Sequence, residues 1–167
     1  MSRSISPRAS GSPSMSSLTD FTAGQRGGNT VSSCAECGFA LWLPIVELET
    51  SSVGLYDDGR FPGRLLVSLH QHFDNIEDVP DVLAATYFQE VRHAMRVARA
   101  VTGAERINLA VLGNQEPHVH AHLIPRHPKT DPNSAQSPWN DPRPRVRLGT
   151  AERTEIIDRY SAAFELP

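Results

Sequence analysis

Lysine is nearly missing from this chain: of 16 basic residues only Lys129 is a lysine, a bias that a GC-rich genome imposes through its codons. An excess of positive charge is missing too. A net charge of −3 does not suit a general binder of nucleic-acid polymers, although a small anionic substrate needs only a local positive site. No apolar run comes near the length of a membrane span, so no membrane partner is expected. Cysteine is limited to Cys34 and Cys37, with no secretory hydrophobic segment, which points to a reducing, cytoplasmic setting. Large apolar residues are scarce in residues 1–30, where eight serines fall in the first 17 positions. Such a segment cannot bury enough surface to offset its chain entropy and is expected to be a disordered tail.

What remains suits one domain. At 39% hydrophobic, 167 residues supply a core plus tails. Residues 44–49 and 51–56 read as short strands, Asp57-Asp58-Gly59 as a turn, and 63–69 as a third strand. Over 81–101, Leu83, Tyr87, Val91, Ala94, Met95, Ala98 and Val101 recur at three- and four-residue intervals, the apolar face of one long helix. Pro80 stands at its entrance and Gly103 just past its end. Thr86, Gln89, Glu90, Arg92, His93, Arg96 and Arg99 occupy the rest, read as a solvated face rather than an anion site. Residues 106–112 form a fourth strand. Five prolines from Pro128 to Pro144 exclude regular structure across 128–149. Thr150 is placed to cap a last helix over 151–164, striped by Ile156, Ile157, Tyr160 and Phe164. The expected segments are a tail (1–30), a domain (31–127), a Pro-rich loop (128–149) and a C-terminal helix (150–167).

The chemistry-bearing stretch runs from Asn114 to Arg126. It sets His118, His120 and His122 in alternation, with Val119 and Ala121 between them. In a strand the three imidazoles share one face, each about 6–7 Å from the next, and Pro125 is expected to end that strand. Two chemistries fit: a shared metal, or one imidazole as nucleophile with its neighbours steadying a phosphate. Cys34-Ala-Glu-Cys37 has three readings of its own: inert thiols, a redox pair, or half of a zinc site.

His-x-His-x-His, two apolar residues, then Pro125-Arg126 resembles the signature of the histidine triad (HIT) superfamily, nucleotide hydrolases and transferases. The segment from Pro62 to His72, a Gly-x-x-Leu-Val-type strand ending in histidine, resembles the same family, and with the cysteine pair its zinc-containing bacterial branch. The resemblance covers about Cys34 to Arg126. It implies an α+β fold, a five-stranded antiparallel sheet with one long helix and a C-terminal helix, paired as a homodimer. It implies one structural Zn²⁺ per chain on Cys34, Cys37, His72 and His118, with His70 a rival for His72. By the family mechanism His120 is the nucleophile, the His118 carbonyl orients it, and His122 bonds a phosphate oxygen. Asn114 stands where many members have Gln as a substrate contact, and Gln115 is the second candidate. The implied activity is cleavage of a nucleotide-linked phosphate, such as a dinucleoside polyphosphate or phosphoramidate, through nucleotidyl-His120. Glu47, Glu49, Asp57 and Asp58 are all available for a ribose contact, the last two already explained as turn residues. Trp139 is read as an anchor of the tail, with a place near the pocket or dimer interface as the alternative. Two other classes compete: a non-catalytic nucleotide-binding module, and a hydrolase whose metal uses all three histidines.

Overall fold

The computed structural model describes residues 33–166; the Ser-rich tail expected over 1–30 lies outside the described residues. Five strands form one antiparallel sheet: β1 (Pro44–Glu47), β2 (Ser51–Leu55), β3 (Leu65–Leu69), β4 (Arg106–Val111) and β5 (His120–Arg126), in the order β1-β2-β3-β5-β4. Two helices, α1 (Asp81–Thr102) and α2 (Thr150–Phe164), complete an α+β domain.

Strand alternation divides the sheet chemically. Leu65 pairs with Leu123 and Val67 with Ala121, and these residues join Val53, Leu55 and Leu69 on the face that forms the core. Leu66 pairs with His122 and Ser68 with His120 on the opposite face. A period of two therefore presents the imidazoles while its intervening residues hold the domain together. Each fully buried Leu or Val there contributes roughly 1.5–3 kcal/mol.

Helix α1 covers the core face as expected, burying Tyr87, Val91, Ala94, Val97, Ala98 and Val101. Gly103 ends it in the left-handed conformation (φ 67°), its N–H bonding the Arg99 carbonyl. The Tyr87 hydroxyl donates to the Val67 carbonyl at 2.9 Å, tying helix to sheet. Glu90, expected on a solvated face, is instead half-buried. It accepts from the Thr50 N–H (2.9 Å), the Thr50 hydroxyl (2.8 Å) and the Ser51 hydroxyl (2.6 Å), so it closes the β1–β2 hairpin.

Three further expectations change. Pro125 does not end β5. It pairs with Ile107 on the β4 side, while β3 starts only at Leu65 opposite Leu123, so its missing N–H faces no β3 ladder. Thr150 is the first residue of α2 rather than its cap; Gly149 holds the cap position without a side-chain bond. The turn after β2 is more than a turn: Asp58 is fully buried and Asp57 nearly so, both in ion pairs. Gly63 (φ 85°) closes that loop. A Cβ there would come within 2.5 Å of Thr102 Cγ2, so only glycine delivers the chain into β3.

Candidate active site and metal centre

His118 lies just before β5 and separates two functions. Its Nε2 donates to the Leu69 carbonyl at 2.8 Å, which fixes the tautomer and leaves Nδ1 as a lone pair. That Nδ1 is 3.5 Å from Cys37 Sγ and 3.4 Å from His72 Nδ1, and His72 Nδ1 is 3.6 Å from Cys34 Sγ. His72 Nε2 lies 3.1 Å from the Asp74 carboxylate, so its Nδ1 also faces inward. Ligand atoms of a zinc tetrahedron with Zn–N about 2.0–2.1 Å and Zn–S about 2.3 Å stand about 3.3–3.8 Å apart. The four donors match in type and in spacing, all lying within 4.8 Å of one another. Both imidazoles carry the outer partner, carbonyl or carboxylate, that metal-bound histidines usually have. The cluster can hold zinc. His70 does not join it; its Nε2 turns to Glu47 (2.9 Å) and Ser52 (3.1 Å). The cysteines are free thiols.

The backbone of His118 serves the second function. His120 Nδ1 donates to its carbonyl at 2.7 Å, so His120 Nε2 is the lone-pair nitrogen. Burial is the main cause that pushes the His120 pKa down, keeping the ring neutral. Phe39 stacks on both rings, 4.9 Å from His118 and 5.0 Å from His120, and sets their planes. Phe39 was not foreseen; nothing in its sequence position marks it beyond closeness to Cys37.

His122 packs edge-on against His120, ring centroids 4.9 Å apart. Its Nδ1 is 3.0 Å from Arg64 Nη2. A guanidinium only donates, so Nδ1 is the acceptor and Nε2 keeps the ring's single proton. Burial, then the charges of Arg64 and His120, lower the His122 pKa to about 3. A metal shared by all three histidines does not fit this arrangement: His118 spends Nε2 on the Leu69 carbonyl and turns Nδ1 to Cys37 and His72, away from the cleft that His120 and His122 line.

His120 and His122 open into a cleft of about 590 Å³ that Asn114, Gln115 and Glu116 also line. The His118 ring does not line it. The expected substrate contacts, Asn114 and Gln115, are exposed on the loop that leads into β5. Glu47, Glu49, Asp57 and Asp58 are absent from the cleft wall. Its other walls are residues that sequence reasoning passed over: Trp42, Tyr56, Arg64 and Arg145. Tyr56 and Trp42 stack at 6.0 Å, and Arg64 lies 4.0 Å over the Tyr56 ring. Trp139 belongs here too, 5.7 Å from His122, half-exposed rather than anchoring the tail. Arg126 does the anchoring: its buried guanidinium donates to Asp131 (2.6 Å), Asn108 (2.8 Å) and the carbonyls of Asn133 (2.8 Å) and Gln136 (3.0 Å).

Residues 44–129 match the family model of the HIT domain. The chain belongs to the HIT domain family. Solved structures agree on the fold. A histidine triad protein of Bradyrhizobium japonicum is 24% identical, with 72% of this chain and 89% of that one covered and a TM-score of 0.66. A hypothetical histidine triad nucleotide-binding protein of Sulfolobus tokodaii is 19% identical over 73% and 83%, TM-score 0.60. A Zn-bound histidine triad family protein of Mycobacterium smegmatis is 22% identical over 72% and 81%, TM-score 0.52. No curated protein sequence matches the chain. The HIT motif accounts for β5 and for its Pro125-Arg126 ending, where Arg126 holds the following segment against the sheet. Among the described residues no helix is long and apolar enough to cross a membrane.

Proposed function

We propose that this HIT protein is a nucleotide hydrolase or nucleotidyltransferase that cleaves a nucleotide-linked phosphate through a covalent nucleotidyl-His120. The supporting observation is the 2.7 Å bond from His120 Nδ1 to the His118 carbonyl, which leaves an unprotonated Nε2 beside an open cleft. In this reading Nε2 attacks the α-phosphorus, the bond to the leaving group breaks with its electron pair, and the nucleotidyl group stays on His120. His122 Nε2–H, beside His120, bonds a non-bridging oxygen as charge builds there. Asn114, with Gln115 as its second, donates to the phosphate end. Water or another acceptor then attacks phosphorus, and the P–N electron pair returns to Nε2. The aromatic wall of Trp42 and Tyr56 suits a nucleobase.

Cys34, Cys37, His72 and His118 would hold one structural zinc per chain. With four protein donors it has no open position, and it supplies folding energy rather than chemistry. The Zn-bound state of the Mycobacterium smegmatis protein is consistent with this assignment. The free thiols suit a reducing cytoplasm, and the substrate is a small nucleotide rather than a polymer.

A homodimer completes the proposal. β4 is an outer strand with Leu109 exposed, and Val82 and Phe88 are exposed on α1, an apolar surface that a second copy would cover. A monomeric mass by light scattering at micromolar concentration contradicts it.

The test of function is a panel of adenylated and guanylated dinucleoside polyphosphates, phosphoramidates and phosphosulfates. Release of nucleoside monophosphate from at least one is expected. Binding without turnover, in folded zinc-loaded protein, favours a nucleotide-binding module instead.

A further inference from the structure

The ring of Phe39 lies between two chemistries. It lines the cleft with His120 and His122, and it also lines the groove where Cys34, His72 and His118 meet. It stacks on His118 at 4.9 Å with 3° between the planes, and on His120 at 5.0 Å with 20°. A closed turn brings it there. The Gly38 N–H donates to the Cys34 carbonyl at 2.8 Å, and the Cys34 N–H donates to the Phe39 carbonyl at 2.8 Å. Both bonds join backbone groups, so the turn aims Phe39 by its own geometry and not only through a metal on its thiols.

An attacking imidazole is directional. Its Nε2 lone pair lies in the ring plane, so the plane of His120 is the plane in which phosphorus must be met. The Nδ1 bond to the His118 carbonyl fixes the tautomer, but one hydrogen bond is a hinge about which the ring can still tilt. His122 meets that ring nearly perpendicular, at 79°, which limits its swing on one side without defining its plane. The Phe39 face does define it, because a tilt drives an edge of the imidazole into the aromatic ring. Both ends of the 2.7 Å bond belong to residues stacked on Phe39, so one surface registers donor and acceptor together. Attack needs reacting atoms about 3–3.5 Å apart with orbitals aligned, and a misplacement of about 1 Å costs about 100-fold in rate.

We infer that Phe39 is a positioning residue for the nucleophile: its ring face sets the plane of His120 so that Nε2 is aimed into the cleft. This rests on the catalytic reading above and adds a residue to it. Phe39 gives and takes no proton and forms no bond in the reaction. It acts only through His120, and the segment that carries the two cysteines thereby also serves the chemistry.

The experiment uses the full-length, zinc-loaded protein and, as probe, the member of the panel above that wild type cleaves fastest. Phe39→Leu keeps an apolar side chain and removes the flat face. It is expected to lower kcat by about 10- to 100-fold while KM changes by less than about 3-fold. Phe39→Tyr keeps the face and should hold kcat within about 3-fold of wild type. Nitrogen NMR of the imidazoles supplies a readout that general packing would not move. In wild type His120 should show a protonated Nδ1 and a lone-pair Nε2, signals assigned by their loss in His120→Ala. Phe39→Leu should average the two shifts as the ring leaves the carbonyl, and Phe39→Tyr should not. If Phe39→Leu fails to fold or to load zinc, Phe39→Met, equally ringless, carries the same expectations. A raised KM at unchanged kcat would make Phe39 a wall for the bound nucleotide and overturn the inference. So would equal kcat losses in Phe39→Leu and Phe39→Tyr, or nitrogen shifts that stay at their wild-type values. No turnover of any panel member by folded wild type is a different failure. It removes the catalytic reading, and the nitrogen shifts then decide alone whether Phe39 holds the ring.

Discussion

Replacing His120 with alanine is expected to lower kcat/KM on the best substrate by about 10⁴- to 10⁶-fold, the usual scale for a lost nucleophile. The ring is buried, stacked on Phe39 and hydrogen-bonded through Nδ1, so its replacement also removes packing. Zinc content and the far-ultraviolet spectrum therefore serve as controls, and both should remain those of wild type because His118 and the cysteines are untouched. Nucleoside monophosphate should still bind within a few-fold, since the Trp42–Tyr56 wall is intact. His122→Gln retains an N–H donor and should lose only about 10²- to 10³-fold, the cost of misplacing one donor to a developing charge. The order of the two losses matters more than either value. A His122 variant more damaged than the His120 variant would reverse their roles.

Removing the metal is expected to act on stability before activity. The four donors come from three separate segments: the loop before β1, the chain just after β3, and the approach to β5. Two thiolates and two imidazoles brought so close repel or stay protonated unless a cation joins them. Structural zinc contributes on the order of 10 kcal/mol of apparent binding energy, which becomes folding energy. Chelation, or Cys34→Ser with Cys37→Ser, should lower the melting temperature by about 10 °C or more. Any protein still folded should retain most of its turnover, because His122 addresses Arg64 and His120 uses the backbone carbonyl of His118, which is not a zinc donor. Turnover abolished at unchanged stability would instead show the metal to be catalytic.

How much of this was legible in the sequence depends on the range of the interaction. Alternation of His120 and His122 is a local pattern that strand geometry converts directly into one chemical face, whereas His118 lies just before β5 and turns its ring to the cysteines and His72. The α1 stripe is local in the same way. The cysteine pair suggested a ligand set only through its resemblance to zinc-bearing relatives, and local spacing could not choose His72 over His70. The structure separates them through Glu47 and Ser52, which meet His70 from other strands. Asp58 misled because Asp-Asp-Gly already explains a turn, which hid the buried pair with Arg64. Arg64, Tyr56, Arg145 and Trp139 converge from four segments, and no short-range periodicity records such a meeting. Pro125 obeyed its rule only in part, since the strand that would have needed its N–H had not yet begun.

The most direct measurement is the stereochemical course at phosphorus, using a chiral α-phosphorothioate of the preferred substrate hydrolysed in ¹⁸O-labelled water. Two in-line displacements, on and off His120, are expected to give net retention of configuration. Net inversion would mean that water attacks the substrate in a single step, and it would contradict the covalent nucleotidyl-His120 on which the account depends.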